Sequence, residues 1–182
     1  MEMLKDSGRS GVNKMYTNNI EGFMFPDEMN WLYETAKGMK SIVEIGAFKG
    51  KSTHALLSGI SKDGMVYSID PLDYDDWKDN KVFMEFMRNV GFYPNMRFIR
   101  FRSAQAVKMF EDKSIDMVFI DGDHMYPSVK QDIELWLPKT KKLICGHDYH
   151  NFTPECEGVT KAVDEMISGF KLCHSIWYKE II

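Results

Sequence analysis

The sequence predicts an α/β fold: a doubly wound, mostly parallel sheet with helices on both faces. Three observations predict it. Strand-like and helix-like apolar patterns alternate between about residues 41 and 168. The turns after the strands carry glycine, aspartate and histidine. IDMVFI (115–120) is a nearly unbroken apolar run, as expected of a strand covered on both faces.

The elements follow in order. A first helix is expected from Pro26, a good first-turn residue, with Asp27 and Glu28 near the positive end of the helix dipole. Met29, Leu32, Tyr33 and Ala36 recur at helical spacing, and Gly38 is placed to end the helix. Ser41–Ile45 reads as the first strand, then a glycine-bearing turn, then a helix over about 51–59. Met65–Ile69 reads as the second strand. An acidic loop leads to a helix carrying Val82, Phe83, Phe86, Met87 and Val90, stopped at Gly91. The third strand is expected over Met96–Phe101, with Ser103 capping the next helix. After the strand at 115–120, Pro127 opens a helix and Pro138 closes it. A fifth strand is expected over Leu143–Gly146 and a helix over Gly158–Ser168. The tail FKLCHSIWYKEII reads as two short strands. Residues 1–19 read as a mobile polar arm and 20–182 as one domain.

Composition excludes several function classes. The 182 residues are enough for a sizeable core. Twenty-three basic against 27 acidic residues give a formal charge of −4, with no Lys/Arg block, so no nucleic-acid surface is expected. No apolar run approaches the ~20 residues of a membrane span. MEMLKDSGRSGVNKM has no apolar signal-peptide core. Cys145, Cys156 and Cys173 are an odd number without CxxC, which fits free thiols in a reducing cytoplasm.

Parallel strands joined by right-handed crossovers bind ligands beyond their carboxyl ends, where the strand order reverses. VEIGAFKGKST (43–53) puts two glycines at such a turn. Its GxxxG spacing is neither GxGxxG nor a P-loop, which favours a ligand without a pyrophosphate. Asp70, in VYSIDP, ends the second strand, where a carboxylate accepts hydrogen bonds from ribose hydroxyls or, alternatively, forms a turn. Asp121, Asp123 and His124 follow the apolar fourth strand directly. Burying isolated carboxylates is costly, so they should face a cleft, a cation or a partner. Asp123 or His124 is suited to take a proton, and a polar turn capping the next helix is the plainer alternative. His147 and Asp148 end the fifth strand, so Asp121 and Asp148 should face each other and invite a divalent cation: Mg²⁺ for an oxygen set, a softer metal if His147 joins. A zinc site of His147, His150 and Cys156 matches no standard ligand spacing.

Together, VEIGAFKGKST, VYSIDP, FIDGDHMYPSVKQDIELW and GHDY resemble the class I S-adenosylmethionine-dependent methyltransferases. More narrowly, they are similar to a small-molecule O-methyltransferase group related to the macrocin and cephalosporin-biosynthesis enzymes. The resemblance spans about residues 20–182, including NIEGFMFPDEMNWLYETAK and SIWYKEII. It implies a Rossmann-like, seven-stranded sheet whose final strand pair adds an antiparallel strand. It implies S-adenosyl-L-methionine as cofactor: Glu44, Gly46, Gly50 and Ser52 beside its methionine part, Asp70 on the ribose, Ser103 and Ala104 near the adenine, with Asp121 adjoining. It implies Asp123 or His124 as the base, and Asp121 and Asp148 as ligands of Mg²⁺ or another divalent cation. Relatives that use a metal carry two oxygen ligands after strand five; here His147 stands first, and the metal set becomes Asp121, His147 and Asp148.

The expected activity is methyl transfer to a hydroxyl of a small molecule, with no membrane partner and with a homo-oligomer open. Two rivals stand: a nicotinamide-dependent oxidoreductase, which does not explain the acids after strands four and five, and a non-catalytic cofactor-binding module. Residues 71–80, with Tyr74 and Trp77, and the segment 16–25 are lid candidates against solvated loops as the alternative.

Overall fold

The computed structural model describes residues 19–73, 80–150 and 156–181. The strands are β1 (Ser41–Ile45), β2 (Met65–Ile69), β3 (Met96–Ile99), β4 (Ile115–Ile120), β5 (Thr140–Gly146), β6 (Lys171–Cys173) and β7 (Ile176–Glu180). The helices are α1 (Pro26–Ala36), α2 (Lys51–Gly59), α3 (Lys81–Val90), α4 (Ser103–Ala106), α5 (Tyr126–Trp136) and α6 (Glu157–Met166). The strands form one seven-stranded sheet in the order β3-β2-β1-β4-β5-β7-β6. β1 to β5 pair in parallel. β7 runs antiparallel to both β5 and β6, so the tail strands add the expected reversed strand.

Alternation along the strands explains the two cores. On β4, Met117 and Phe119 join one apolar layer with Leu32, Leu56 and Phe86. Val118 and Ile120 join the other with Val43, Ile133 and Trp136. All six β4 residues are buried, which is why its sequence shows no polar alternation. Asp116 is the exception in chemistry: its carboxylate accepts the Lys40 amide (2.8 Å) and pairs with Lys142 (2.9 Å).

Four boundaries differ from expectation. β3 stops at Ile99, because the Phe101 amide turns back onto the Ile99 carbonyl (2.9 Å). Ser103 is the first helical residue rather than the cap, since its hydroxyl instead accepts the Trp136 indole N–H (2.7 Å). β5 starts at Thr140, three residues early; exposed Lys141 and Lys142 hid it from an apolar reading. α6 ends at Met166 rather than Ser168. Residues 1–18, which hold nearly all of the expected mobile arm and the start of the lid candidate at 16–25, and residues 74–79 of the other lid candidate, with Tyr74 and Trp77, lie outside the described residues.

β1 pairs with β2 on one side and β4 on the other. The strand order therefore reverses between β1 and β4, and a crevice opens beyond their carboxyl ends.

Candidate functional site

At that switch point a cleft of about 820 Å³ runs across the ends of β1, β2, β4 and β5. Of the twelve residues expected at the site, all but Glu44 and Gly50 line it.

Gly46 makes the crevice possible. It has φ +85°, and its amide donates to the Ile69 carbonyl (2.9 Å). A Cβ there would stand 1.9 Å from the Asp121 carbonyl oxygen, so β1 and β4 approach this closely only across a glycine. Asp70 then fixes the turn. Its Oδ2 accepts the amides of Ala47 (2.9 Å) and Phe48 (3.0 Å), and its Oδ1 accepts that of Leu72 (2.8 Å). Asp70 thus takes the plainer of its two expected roles, forming the turn, and also lines the cleft.

Glu44 is a correction. It lies behind the wall, fully buried, and does not line the cleft. Ser52 Oγ (2.5 Å), Thr53 Oγ1 (2.5 Å) and Ser68 Oγ (2.8 Å) donate to its carboxylate and tie β1, α2 and β2 together. Burial outweighs these bonds and pushes its pKa up to about 7. Gly50 also sits off the cleft. At φ +87° it caps α2, packed close to Phe86 and Val90.

The other half of the site is charged. The Asp123 carboxylate accepts the Met125 amide (3.0 Å) and the Ser128 hydroxyl (2.7 Å). Burial works to raise its pKa, but these bonds and nearby His124 and Arg102 bring it below the usual range. His124 is half-buried, and its Nε2 meets Asp148 Oδ2 at 2.9 Å. That contact raises the His124 pKa against the effect of burial. Asp148 takes φ +62°, a left-handed conformation costing a side-chain-bearing residue on the order of 1 kcal/mol. It places one carboxylate between two histidines.

His147 is the second of these. Its Nδ1 lies 3.3 Å from Asp148 Oδ1 and 3.6 Å from Asp121 Oδ1. Its Nε2 meets Glu28 Oε2 at 3.0 Å. Burial alone lowers its pKa, but Asp121, Asp148 and Glu28 together push it up to about 12. For Glu28, burial works upward, yet His147, Ser175 and the Phe25 amide hold it down at about 2. Asp121, His147 and Asp148 offer ligand atoms within 4.8 Å of one another, as do His124, Asp148 and Cys156. His150, the other member of the rejected zinc spacing, belongs to neither group.

A methyltransferase-domain family model matches residues 43–149, more than half of the chain. The chain belongs to the methyltransferase-domain family. The matched region holds every expected site residue, from the Gly46 turn to Asp148. Among relatives of this methyltransferase domain is a candidate O-methyltransferase of Mycobacterium sp. (strain JLS), 35% identical over 85 residues, 46% of this chain and 37% of that protein. An uncharacterised protein of Sinorhizobium fredii (strain NBRC 101917 / NGR234) is 25% identical over 127 residues, 65% of this chain and 14% of its own length. The chain thus spans well under half the length of these relatives. Its fold matches an O-methyltransferase from Bacillus cereus, solved with S-adenosylhomocysteine, at TM-score 0.65 and 15% identity, over 93% of this chain and 87% of that one. It also matches the Streptomyces achromogenes O-methyltransferase TomG, solved with S-adenosylmethionine, at TM-score 0.63 and 15% identity, over 86% and 79%.

Two groups of this methyltransferase domain escaped the sequence reading. Asp132 lines the cleft from α5, is nearly buried, and bonds Ser103. Burial raises its pKa to about 6, with Asp123 adding to the rise and Ser103 opposing it. Ser128 and Asp132 are four apart on one helix face beside the apolar Val129–Ile133 stripe, a polar pair that could have flagged them. Glu28 gave no signal beyond that of a first-turn acid. Among the described residues, no helix is long and apolar enough to cross a membrane.

Proposed function

We propose that this domain transfers the methyl group of S-adenosyl-L-methionine to a hydroxyl oxygen of a small-molecule acceptor. The observation that carries the reading is the single cleft at the strand-order reversal. It joins a glycine turn and Asp70 on one side to the His124–Asp148 pair on the other. Its volume falls within the roughly 300–1,000 Å³ of small-molecule sites.

When bound, S-adenosyl-L-methionine supplies a methyl on a sulfonium sulfur, and the sulfur leaves as a neutral thioether. The chain's own residues do the rest. The Gly46 turn leaves room for the methionine part, and Ser52 lines that end. Asp70 faces the ribose hydroxyls, and Ser103, Ala104 and Asp132 border the adenine. His124 is the better base of the two candidates. The bonds from Met125 and Ser128 help hold Asp123 below the usual carboxylate range, which makes it a weak base, whereas the His124 ring is oriented by Asp148 and partly open to the cleft. His124 accepts the acceptor's hydroxyl proton as the new O–CH₃ bond forms and the S–CH₃ bond breaks.

Asp121, His147 and Asp148 fit a divalent cation: the buried imidazole aims Nδ1 into the gap between two carboxylate oxygens. A metal held there would lower the pKa of a hydroxyl bound to it. Free thiols at Cys145, Cys156 and Cys173 suit a cytoplasmic setting.

Calorimetry with S-adenosylmethionine, S-adenosylhomocysteine and NAD tests the ligand class. Binding of the first two and not of NAD is expected; preferential binding of NAD would replace this reading with the oxidoreductase. A methyl-transfer screen over sugar, phenol and amine acceptors then tests the acceptor, and amine-only methylation would overturn the oxygen assignment.

A further inference from the structure

Residues 20–25 form a strap held by two anchors. At the first, Ile20 is buried, Glu21 pairs with Lys49 (2.6 Å), and the Gly22 carbonyl accepts Lys51 Nζ (2.8 Å) at the start of α2. At the second, Met24 packs against the apolar core, and the Phe25 amide donates to Glu28 (2.9 Å), which meets His147 at 3.0 Å. The first anchor follows β1 and the second lies at the end of β5. β4 stands between those two strands in the sheet. The strap therefore passes over the carboxyl end of β4, which Asp121 to His124 follow directly. Asp70 and Ser103, after β2 and β3, lie on the other side of β1.

Phe23 sits between the anchors. It lines the cleft, yet its ring is 90% exposed, so almost none of it packs on the protein. Phe25 (65% exposed), whose ring centroid is 6.2 Å from that of His174, and Met125 (60%), directly after His124, add to the exposed apolar surface around this end of the cleft. A bare aromatic face on a pinned segment contributes nothing to the core, and a flat apolar surface laid on it would free it of water. The polar groups on this side are turned to one another: Ser128 donates to Asp123, His124 meets Asp148, and His147 meets Glu28. A sugar needs hydrogen-bonding partners around its whole outline. A planar molecule with one reacting hydroxyl needs an apolar face and a base, which Phe23 and His124 supply.

We propose that Phe23 determines acceptor specificity: its ring stacks on a planar aromatic acceptor and presents that molecule's phenolic hydroxyl to His124, so that phenols are preferred to sugars. The inference rests on the methyl-transfer reading of the cleft and narrows its acceptor. The phenolic proton passes to His124, the oxygen takes the methyl group, and the sulfur keeps the electron pair of the broken S–CH₃ bond. A phenol, with a pKa of about 10 in tyrosine, gives up this proton more readily than an alcohol.

2-Naphthol is the probe, because it is planar and its single hydroxyl cannot chelate a metal ion. Its binding to the full chain is measured by calorimetry with and without S-adenosylhomocysteine, beside decahydro-2-naphthol and methyl glucoside. 2-Naphthol should bind most tightly of the three, at least tenfold more tightly than the glucoside. Phe23→Ala should weaken it about tenfold, with the loss in turnover showing in KM, and Phe23→Tyr, which keeps a ring, should retain both. S-adenosylhomocysteine affinity and melting temperature should match wild type in both variants, because the ring packs on so little of the protein. The proposal is overturned by tighter binding of the glucoside or of the saturated alcohol, or by 2-naphthol binding indifferent to Phe23→Ala. Weakened S-adenosylhomocysteine binding in Phe23→Ala would also overturn it and move the ring onto the cofactor. A wild-type dimer that Phe23→Ala converts to monomer would overturn it in favour of a contact between copies. The two readings fail separately. Phe23-dependent 2-naphthol binding without nucleoside binding sinks the methyl-transfer reading and leaves the aromatic site standing. Methylation of the glucoside indifferent to Phe23 leaves methyl transfer standing and sinks this inference.

Discussion

The cleft has two halves built in different ways. The half beside β1 and β2 is local: the Gly46 turn is pinned by Asp70, 23 residues from Ala47, through backbone amides. The half beside β4 and β5 is assembled from afar: His147 needs Glu28, 119 residues away, and Glu28 needs Ser175, 147 residues away. Backbone fixes the first half and side-chain charge the second. The first should therefore fail by losing shape, and the second by losing chemistry while keeping its shape.

Gly46→Ala should show the largest effect. The added methyl meets the Asp121 carbonyl carbon and oxygen, both backbone, in a conformation that L-residues avoid. Relief requires β1 and β4 to part, at more than about 4 kcal/mol. The soluble, cooperatively melting fraction should be lost. Gly38→Ala is the control, because nothing lies within 4 Å of its Cβ position. A Gly46→Ala protein that melts like Gly38→Ala would remove the contrast between the halves.

His124→Gln tests the opposite limb. Turnover should fall about 10²- to 10⁴-fold, the usual worth of a general base. S-adenosylhomocysteine affinity and melting temperature should stay near wild type. A parallel loss of affinity would mean that His124 shapes the cleft rather than moving a proton.

The same division decides what the sequence disclosed. Gly46 and Asp70 were legible because strand, turn and strand end are consecutive, and residue type at such a turn carries the meaning. The polar residues after β4 and β5 were legible for the same reason. Glu44 was misplaced by one fact that sequence does not give: the side of the strand end that faces the ligand. Its neighbour Ile45 lines the cleft, while Glu44 points to Ser52 and Thr53 of α2. Glu28 was invisible because its function depends on α1 meeting the β6–β7 turn, a tertiary contact with no local trace. β5 was half seen, since its first residues after Thr140 are exposed lysines.

Asp70→Ala is a smaller perturbation than Gly46→Ala but strikes both functions of the local half. It removes the acceptor of three backbone amides and, on the proposed function, the partner of the ribose hydroxyls. Charge-assisted hydrogen bonds contribute roughly 1.5–3 kcal/mol each, so S-adenosylhomocysteine affinity should drop about 10²-fold. Calorimetry at a temperature where the variant is folded reads this directly, and unchanged affinity would end the ribose assignment. Asp70→Asn keeps one oxygen for the turn, so it should recover more of the melting temperature than of the affinity.

The smallest expected effect lies at the seam between the halves, in Glu44. Its folded pKa of about 7 stands above the ordinary value of 4.5, so the folded chain holds a proton that the unfolded chain releases in between. Stability therefore falls as pH rises through this window. Between about pH 5.5 and about pH 7.0 the loss should be about 1.5 kcal/mol. Asp132, also raised, shares the sign, while Glu28, held at about 2, acts only in more acidic solution. Both are present in a Glu44→Gln variant, so the difference between the two stability–pH curves isolates Glu44. The amide oxygen introduced by that change can still accept from Ser52, Thr53 or Ser68, but the side chain cannot ionise. Urea melts should give a flatter curve for the variant across this window. Parallel curves would mean that the three hydroxyls hold Glu44 ionised throughout, and that the wall behind the cleft carries a negative charge at neutral pH.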